Sequence, residues 1–328
     1  MKIFVTGAAG YIGSVVTERL LADGHSVTAY DSLRHGHREA VPETATLIVG
    51  DLLDRDGLHA HLAAGRYDAV IHLAAEALID ESVRNPGLFF QVNMAGGLNL
   101  LDAMAASGTR RLVFSSTAAV YGEPDELPIR EEAPHRPVNA YGESKLAFER
   151  ALPWYRRAHG LSHVSLRYFN ACGATARCGE RHEPETHLIP ILLDVALGIR
   201  PSIHLFGTDY DTPDGTCIRD YVHVSDVAEA HVRCLAAMDE LGAEAFNLGH
   251  GNGYSNRQVI DAVARVTGRP IAVLPSPRRP GDPARLVASS DRIHARLGWR
   301  PAISDLDTMI ATAWRWHLRH AAVSTGHS

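Results

Sequence analysis

Residues 2–13 read KIFVTGAAGYIG: a short apolar run, then Gly7, Gly10 and Gly13 at the opening of an amphipathic stretch. That order leaves the chain few options. The apolar run suits a buried strand, and glycine permits a turn tight enough to bring backbone close to a ligand. The unpaired N–H groups and positive dipole end of the following helix then form an anion site. A second apolar run, Ser26–Tyr30, ends on Asp31, 24 residues beyond Gly7. A carboxylate there accepts a ribose 2′-hydroxyl and repels a 2′-phosphate. Strand, glycine turn, helix and terminal acid together predict a dinucleotide site that prefers NAD to NADP. Asp51, in VGDLLD after the third apolar run, falls at the same sheet edge and is expected either to reach the adenine or to cap a helix.

The first half of the chain repeats this alternation. Strands are expected at Lys2–Thr6, Ser26–Tyr30, Thr46–Val49, Ala69–Leu73, Arg111–Ser115 and His163–Arg167. Helices are expected near Ile12–Ala22, Leu58–Ala64, Leu88–Ala106 and Tyr141–Ala158. Strand–helix alternation means parallel strands joined by helical crossovers, hence a Rossmann-type doubly wound α/β sheet covered on both faces. After about Asn170, Gly and Pro become frequent, and PETHLIP, GTDYDTPDGT and LPSPRRPGDPAR read as loops. The expected organisation is an NAD-binding domain over 1–170, rejoined by about 219–249, and a smaller α/β substrate domain over 171–328. Asp220–Met238 reads as strand then helix, which is what would carry the chain back.

Composition bounds the partners. Of 328 residues, 32 are Lys or Arg and 38 Asp or Glu, a net charge of −6 with no basic block. Neither nucleic acid nor an anionic membrane is expected to attract such a chain. Cys172, Cys178, Cys217 and Cys234 form no CxxC pair, as in a reducing cytoplasm. Met1 leads directly into the first strand, without the pattern of a secretory signal. Among 19 histidines the pairs His35/His37, His59/His61 and His317/His320 have no third ligand at metal-binding spacing, so no metal site is expected. The residues after His317 read as a frayed tail.

Tyr141 and Lys145, in NAYGESK, stand four apart at the start of a helix and so share one face. An ammonium beside a phenol, or a positively charged nicotinamide ring, stabilises the phenolate. Tyrosine can then serve as a base far below its ordinary range. The pair follows an apolar run that ends in Ser115-Ser116-Thr117.

Taken with VTGAAGYIGS, HLAA (His72–Ala75), ESVRNP (Glu81–Pro86), VFSSTAAVYG (Val113–Gly122), LRYFNACGA (Leu166–Ala174), THLIP (Thr186–Pro190), Leu205–Asp226 and RRPGD (Arg278–Asp282), these segments resemble the extended short-chain dehydrogenase/reductase family, in its branch of UDP-hexose 4-epimerases. The resemblance implies that Tyr141 takes the proton of the sugar 4-hydroxyl while NAD takes the C4 hydrogen, through a transient 4-keto sugar. Lys145 would hold the nicotinamide ribose, and Thr117 would hydrogen-bond the 4-oxygen. Gly7, Gly10, Tyr11, Ile12, Gly13, Asp31, Asp51, Leu52, Leu73, Ala74, Ala75, Asn93 and Ser115 would form the NAD bed, with Phe169 closing on the nicotinamide. Asn170, His187, Leu188, Leu205, Arg219, Tyr221, Arg279 and Asp282 would bind the UDP-sugar. The two arginines suit a diphosphate, whose oxygens match the guanidinium fork.

The resemblance also implies a homodimer, with the helices near Leu88–Ala106 and Tyr141–Ala158 pairing across it as a four-helix bundle. There are departures. Ala77 stands where some relatives carry lysine, and Asp80 replaces a glycine. His187 stands where many have Asn, and Leu286 lies near a tyrosine that some place beside the sugar. A shorter residue at Leu286 is expected to leave room for an N-acetyl group. Two rival readings are a nucleotide-sugar 4,6-dehydratase and a non-catalytic NAD-binding sensor. The dehydratase needs an acid after the active-site threonine, where this chain has Ala118 and Ala119. The sensor has no need of Tyr141 and Lys145.

Overall fold

The structure, a computed structural model, describes residues 1–279 and 282–324. Each apolar run of the first half forms a strand: β1 (Lys2–Thr6), β2 (Ser26–Asp31), β3 (Thr46–Val49), β4 (Ala69–His72), β5 (Arg111–Thr117) and β6 (Ser162–Tyr168). Between them lie α1 (Tyr11–Ala22), α2 (Arg55–Gly65), α3 (Ile79–Arg84), α4 (Pro86–Phe89), α5 (Gly97–Ser107) and α6 (Ala140–His159). The second half adds β7 (Asn170–Cys172), α7 (Leu188–Leu197), β8 (Ile203–Phe206), β9 (Ile218–Arg219), β10 (Tyr221–His223) and α8 (Val224–Ala236). There follow α9 (Met238–Leu241), β11 (Ala243–Leu248), β12 (Tyr254–Ser255), α10 (Asn256–Thr267), β13 (Val273–Ser276), β14 (Arg285–Leu286), α11 (Asp291–Leu297) and α12 (Leu306–Ser324).

Seven strands form one sheet in the order β11-β6-β5-β4-β1-β2-β3, every neighbouring pair parallel. Apolar side chains are buried on both of its faces. One core gathers Val15, Val16 and Leu20 of α1 with Val227 and Leu235 of α8. The other gathers Leu58 and Leu62 of α2, Leu100 and Leu101 of α5, and Phe148 and Leu152 of α6. This is the doubly wound Rossmann-type sheet, and its order reverses between β1 and β4, the place where such sheets bind ligands. A third core, around Leu192 and Leu193 of α7, Val259 and Val263 of α10 and Met309 and Ile310 of α12, lies under the short sheets of the second half.

Two elements differ from expectation. The helix expected over Leu88–Ala106 is interrupted by a π-helical stretch, Phe90–Gly96, between α4 and α5. The wider turn carries Asn93 inward, where its amide accepts from Glu76 N (2.8 Å) and donates to Ser144 Oγ (2.9 Å). No apolar period announces such a turn. The tail expected to fray is instead part of α12 as far as Ser324, because Leu306, Met309, Ile310, Ala313 and Trp316 form one buried helical stripe. Residues 325–328, and Pro280 and Gly281 of RRPGD, lie outside the described residues. No helix among the described residues is long and apolar enough to cross a membrane.

Candidate active site

The carboxyl ends of the central strands open into a cavity of about 710 Å³. Its cofactor half is built by the glycine turn. Gly7 has φ +71°, and a Cβ there would meet Ala74 N at 2.5 Å; a Cβ on Gly13 would meet Gly7 O at 1.9 Å. Gly7 is thus fixed by the close approach of the turn after β4, and Gly13 by the approach of α1 to Gly7 itself. At Gly10, by contrast, an added Cβ finds only Gly7 O, 3.4 Å away, so its outer side is open to the cavity. Gly10 is also the N-cap of α1, with no side-chain cap and no acid in the first turn. An uncapped helix end that opens into a cavity beside a Cβ-free turn fits a dinucleotide pyrophosphate.

The other expected NAD residues, Tyr11, Ile12, Asp31, Asp51, Leu52, Leu73, Ala74, Ala75, Ser115 and Phe169, all line this cavity, as do Ala77 and Asp80. Asp31 accepts Ala9 N (2.9 Å) and Leu33 N (2.8 Å), which aim its carboxylate. Burial pushes its pKa up, against the lowering effect of those two bonds. Asp51 does not cap α2; Asp54 does, accepting Gly57 N. Asp51 instead bonds Arg34 (3.1 Å), whose other nitrogen reaches Glu76 (3.0 Å). Arg34 and Glu76 were not singled out from sequence, since an isolated charge in a loop carries no pattern. Asn93 does not line the cavity. It is buried behind it, clamping the Glu76 backbone and Ser144.

At the centre, Tyr141, Lys145 and Thr117 converge on the cavity wall. Lys145 Nζ donates to Ser115 O at 2.8 Å rather than to the phenol. Burial pulls its pKa down to about 7, partly opposed by Glu149 one turn further along α6. Burial likewise pushes the Tyr141 phenol above its ordinary value, and the hydrogen bond with Thr117 only moderates this. Of the two charges expected to favour the phenolate, the Lys145 ammonium is held on the Ser115 carbonyl.

The far half of the cavity holds Asn170, His187, Leu188, Leu205, Arg219, Tyr221, Arg279 and Asp282. Arg219 is paired with Asp282, and Arg279 lies over the Phe206 ring at 4.1 Å. Phe206 lines the cavity too and escaped the sequence reading, because one aromatic in a short strand looks like core. Leu286 does not line the cavity. It packs with Phe169 against Val120, Tyr121, Ile129 and Leu146, so it gives no direct account of space beside the sugar. Near the rim, Glu180, His182 and His187 come together, with ligand atoms all within 4.8 Å of one another. The spacing of neighbouring histidine pairs carries no sign of this Glu-x-His-x₄-His grouping. Although burial opposes the charge, hydrogen bonding to Glu185 and the fields of Glu180 and Glu185 hold His187 up at about 9.

Residues 3–249 match the family model described as the NAD dependent epimerase/dehydratase family. The chain is 49% identical to the UDP-glucose 4-epimerase of Corynebacterium glutamicum, over 96% of this chain and 95% of that one. Its structure is similar to that of the UDP-glucose 4-epimerase from Bifidobacterium longum in complex with NAD+ and UDP. The TM-score is 0.93 at 35% identity, covering 98% of this chain and 99% of that one. It is also similar to the UDP-Glc/GlcNAc 4-epimerase of Campylobacter jejuni, with TM-score 0.86, 36% identity and coverage of 97% and 99%. The chain belongs to the NAD-dependent epimerase/dehydratase family.

Proposed function

We propose that this chain inverts C4 of a UDP-hexose with NAD as its resident cofactor, and that Tyr141, Lys145 and Thr117 carry the chemistry. The observation that carries the reading is one cavity in which the Tyr141 phenol and Thr117 lie between an uncapped glycine-rich helix end and the arginine-bearing far wall. Bound NAD supplies a reversible acceptor for the C4 hydrogen. The Tyr141 oxygen, as the phenolate that a positively charged nicotinamide would stabilise, takes the proton of the sugar 4-hydroxyl and, as the phenol so formed, later returns it to the 4-oxygen. Thr117 Oγ1 hydrogen-bonds that oxygen and the phenol. Lys145, anchored on Ser115 O, holds the nicotinamide ribose. Arg219, Arg279 and Asp282 keep the UDP end fixed while the 4-keto sugar turns over between the two hydrogen transfers. Ala118 and Ala119 offer no acid to expel a C6 hydroxyl, which weighs against a 4,6-dehydratase.

The test is an equilibrium assay without added cofactor, run on UDP-glucose/UDP-galactose and on the N-acetyl pair. Interconversion of either pair is expected; binding of the sugars without turnover would support a sensor instead. The division of labour is proposed to follow the chain, with 1–170 and about 219–249 serving NAD and the remainder of 171–328 the UDP-sugar. Asp31→Ser is expected to weaken NAD and relax discrimination against NADP, because the like-charge clash with a 2′-phosphate disappears. Mass spectrometry of cofactor released from the unaltered protein checks this, and recovery of NADP would overturn it.

A homodimer is proposed through α3, the π-helical stretch and α6. These pack side by side and leave Val83 68%, Trp154 66%, Ile79 48% and Phe90 40% exposed. Charges at Val83 and Trp154 (Val83→Glu with Trp154→Glu) should give monomers in sedimentation, and a monomeric unaltered protein would end the proposal. A cytosolic setting agrees with four cysteines that are all buried and unpaired.

A further inference from the structure

Between β7 and α7 the chain runs along the cavity without helix or strand, held along its first part. Tyr11 Oη donates to Gly173 O at 2.7 Å, Thr175 Oγ1 to Glu18 at 2.8 Å, and Arg181 pairs with Glu39 at 2.8 Å. Glu180, with its side chain 10% exposed, stands inside this clamp and His182 directly after it; His187 follows at the N-cap of α7. One donor atom from each lies within 4.8 Å of the other two. Donors about 2.0–2.2 Å from a tetrahedral zinc are about 3.4 Å apart, so small side-chain rotations close the set.

Two further features favour a cation. First, Arg181 is turned away to Glu39, so among the described residues no Arg or Lys forms an ion pair with Glu180 or Glu185. Second, Glu185 accepts Thr186 N and His187 N, both at 2.7 Å, and lies 2.8 Å from His187 Nδ1. A fixed carboxylate on one ring nitrogen orients the other toward a metal, as carboxylates behind metal-bound histidines do. Two imidazoles and one carboxylate suit zinc-class ions rather than Mg²⁺ or Ca²⁺, which prefer all-oxygen sites.

We propose that Glu180, His182 and His187 bind one zinc-class divalent cation at the cavity rim, with Glu185 orienting His187 and a fourth coordination position open to the cavity. All three ligands line that cavity, and His187 does so beside Leu188 at the start of α7. On the proposed function, a diphosphate oxygen of the UDP-sugar takes the fourth position; this last part rests on that reading. The ion ties the rim segment to α7 and so shapes the substrate half of the site.

The experiment is a Co²⁺ titration of tag-free, NAD-containing protein after dialysis against a chelator. Saturation at one Co²⁺ per chain is expected, with the visible bands of a four- or five-coordinate ion and displacement by Zn²⁺ but not by Mg²⁺. Glu180→Gln and His182→Ala should each weaken binding at least about tenfold. UDP should shift the bands, and its binding to the metal-free protein is measured separately by calorimetry. A failed UDP-site reading therefore shows there and not in the titration. Absence of saturable Co²⁺ binding would mean that the side chains merely pair with one another, and would overturn the site. Unchanged affinity in both variants would do the same. Should a variant lose its NAD, the stoichiometry of the unaltered protein still decides. Bands indifferent to UDP that calorimetry shows to bind would overturn the open fourth position.

Discussion

Tyr141→Phe is expected to lower turnover by about 10²–10⁴-fold, the range typical of lost acid–base catalysis, while fold and bound NAD persist. The substitution removes one oxygen and keeps the ring, which meets Phe89 edge-on at 6.4 Å. Burial raises the free phenol, and on the proposed mechanism a positive nicotinamide facing it would lower it again and let it act as the base. Two measurements check this: kcat on UDP-galactose, and phenol absorbance near 295 nm with and without NAD. Turnover like that of the unaltered protein would remove Tyr141 from the mechanism.

Glu149→Ala should cost about 3–5 kcal/mol of stability, the range found when one partner of a buried ion pair is deleted. Arg167 and Glu149 are only 4% and 9% exposed and meet through two bonds, Nη2 to Oε2 at 2.6 Å and Nε to Oε1 at 3.1 Å. The same guanidinium donates to Tyr121 Oη (2.8 Å), which donates to Asn247 Oδ1 (2.7 Å). Ser116 also donates to Glu149. Removing the carboxylate leaves Arg167 charged between β6 and α6 with one neutral partner side chain. Glu149→Gln keeps the shape and half the acceptors, so its loss should be smaller. Urea unfolding of both variants gives the comparison, and a loss under about 1 kcal/mol for Ala would show the pair to be solvated. Because Glu149 also supports the charge of Lys145, kcat is expected to fall beyond what the altered stability explains.

Local patterns carried the first half of the fold. The runs KIFVT and RLVFSST are apolar enough to be strands wherever they sit, and glycine at 13 answers a contact with Gly7, six residues back. The Tyr141/Lys145 pair was legible for the same reason, since helix geometry alone puts residues four apart on one face. Sequence therefore determined the parallel sheet, the glycine turn and the placing of Tyr141 and Lys145 on one helix face.

Tertiary structure decided what depends on distant partners. The direction of Lys145 toward Ser115 O, the phenol raised by burial, and Asn93 turned inward by a π-helical stretch all follow from packing against strands and loops remote in sequence. Phe206, Arg34 and Glu76 entered the cavity in the same way, and Leu286 left it to pack behind Phe169. The grouping of Glu180, His182 and His187 has the same origin. Its members are close along the chain, but an irregular segment has no period, so only the contacts with α1, Glu39 and α7 set which side chains face one another.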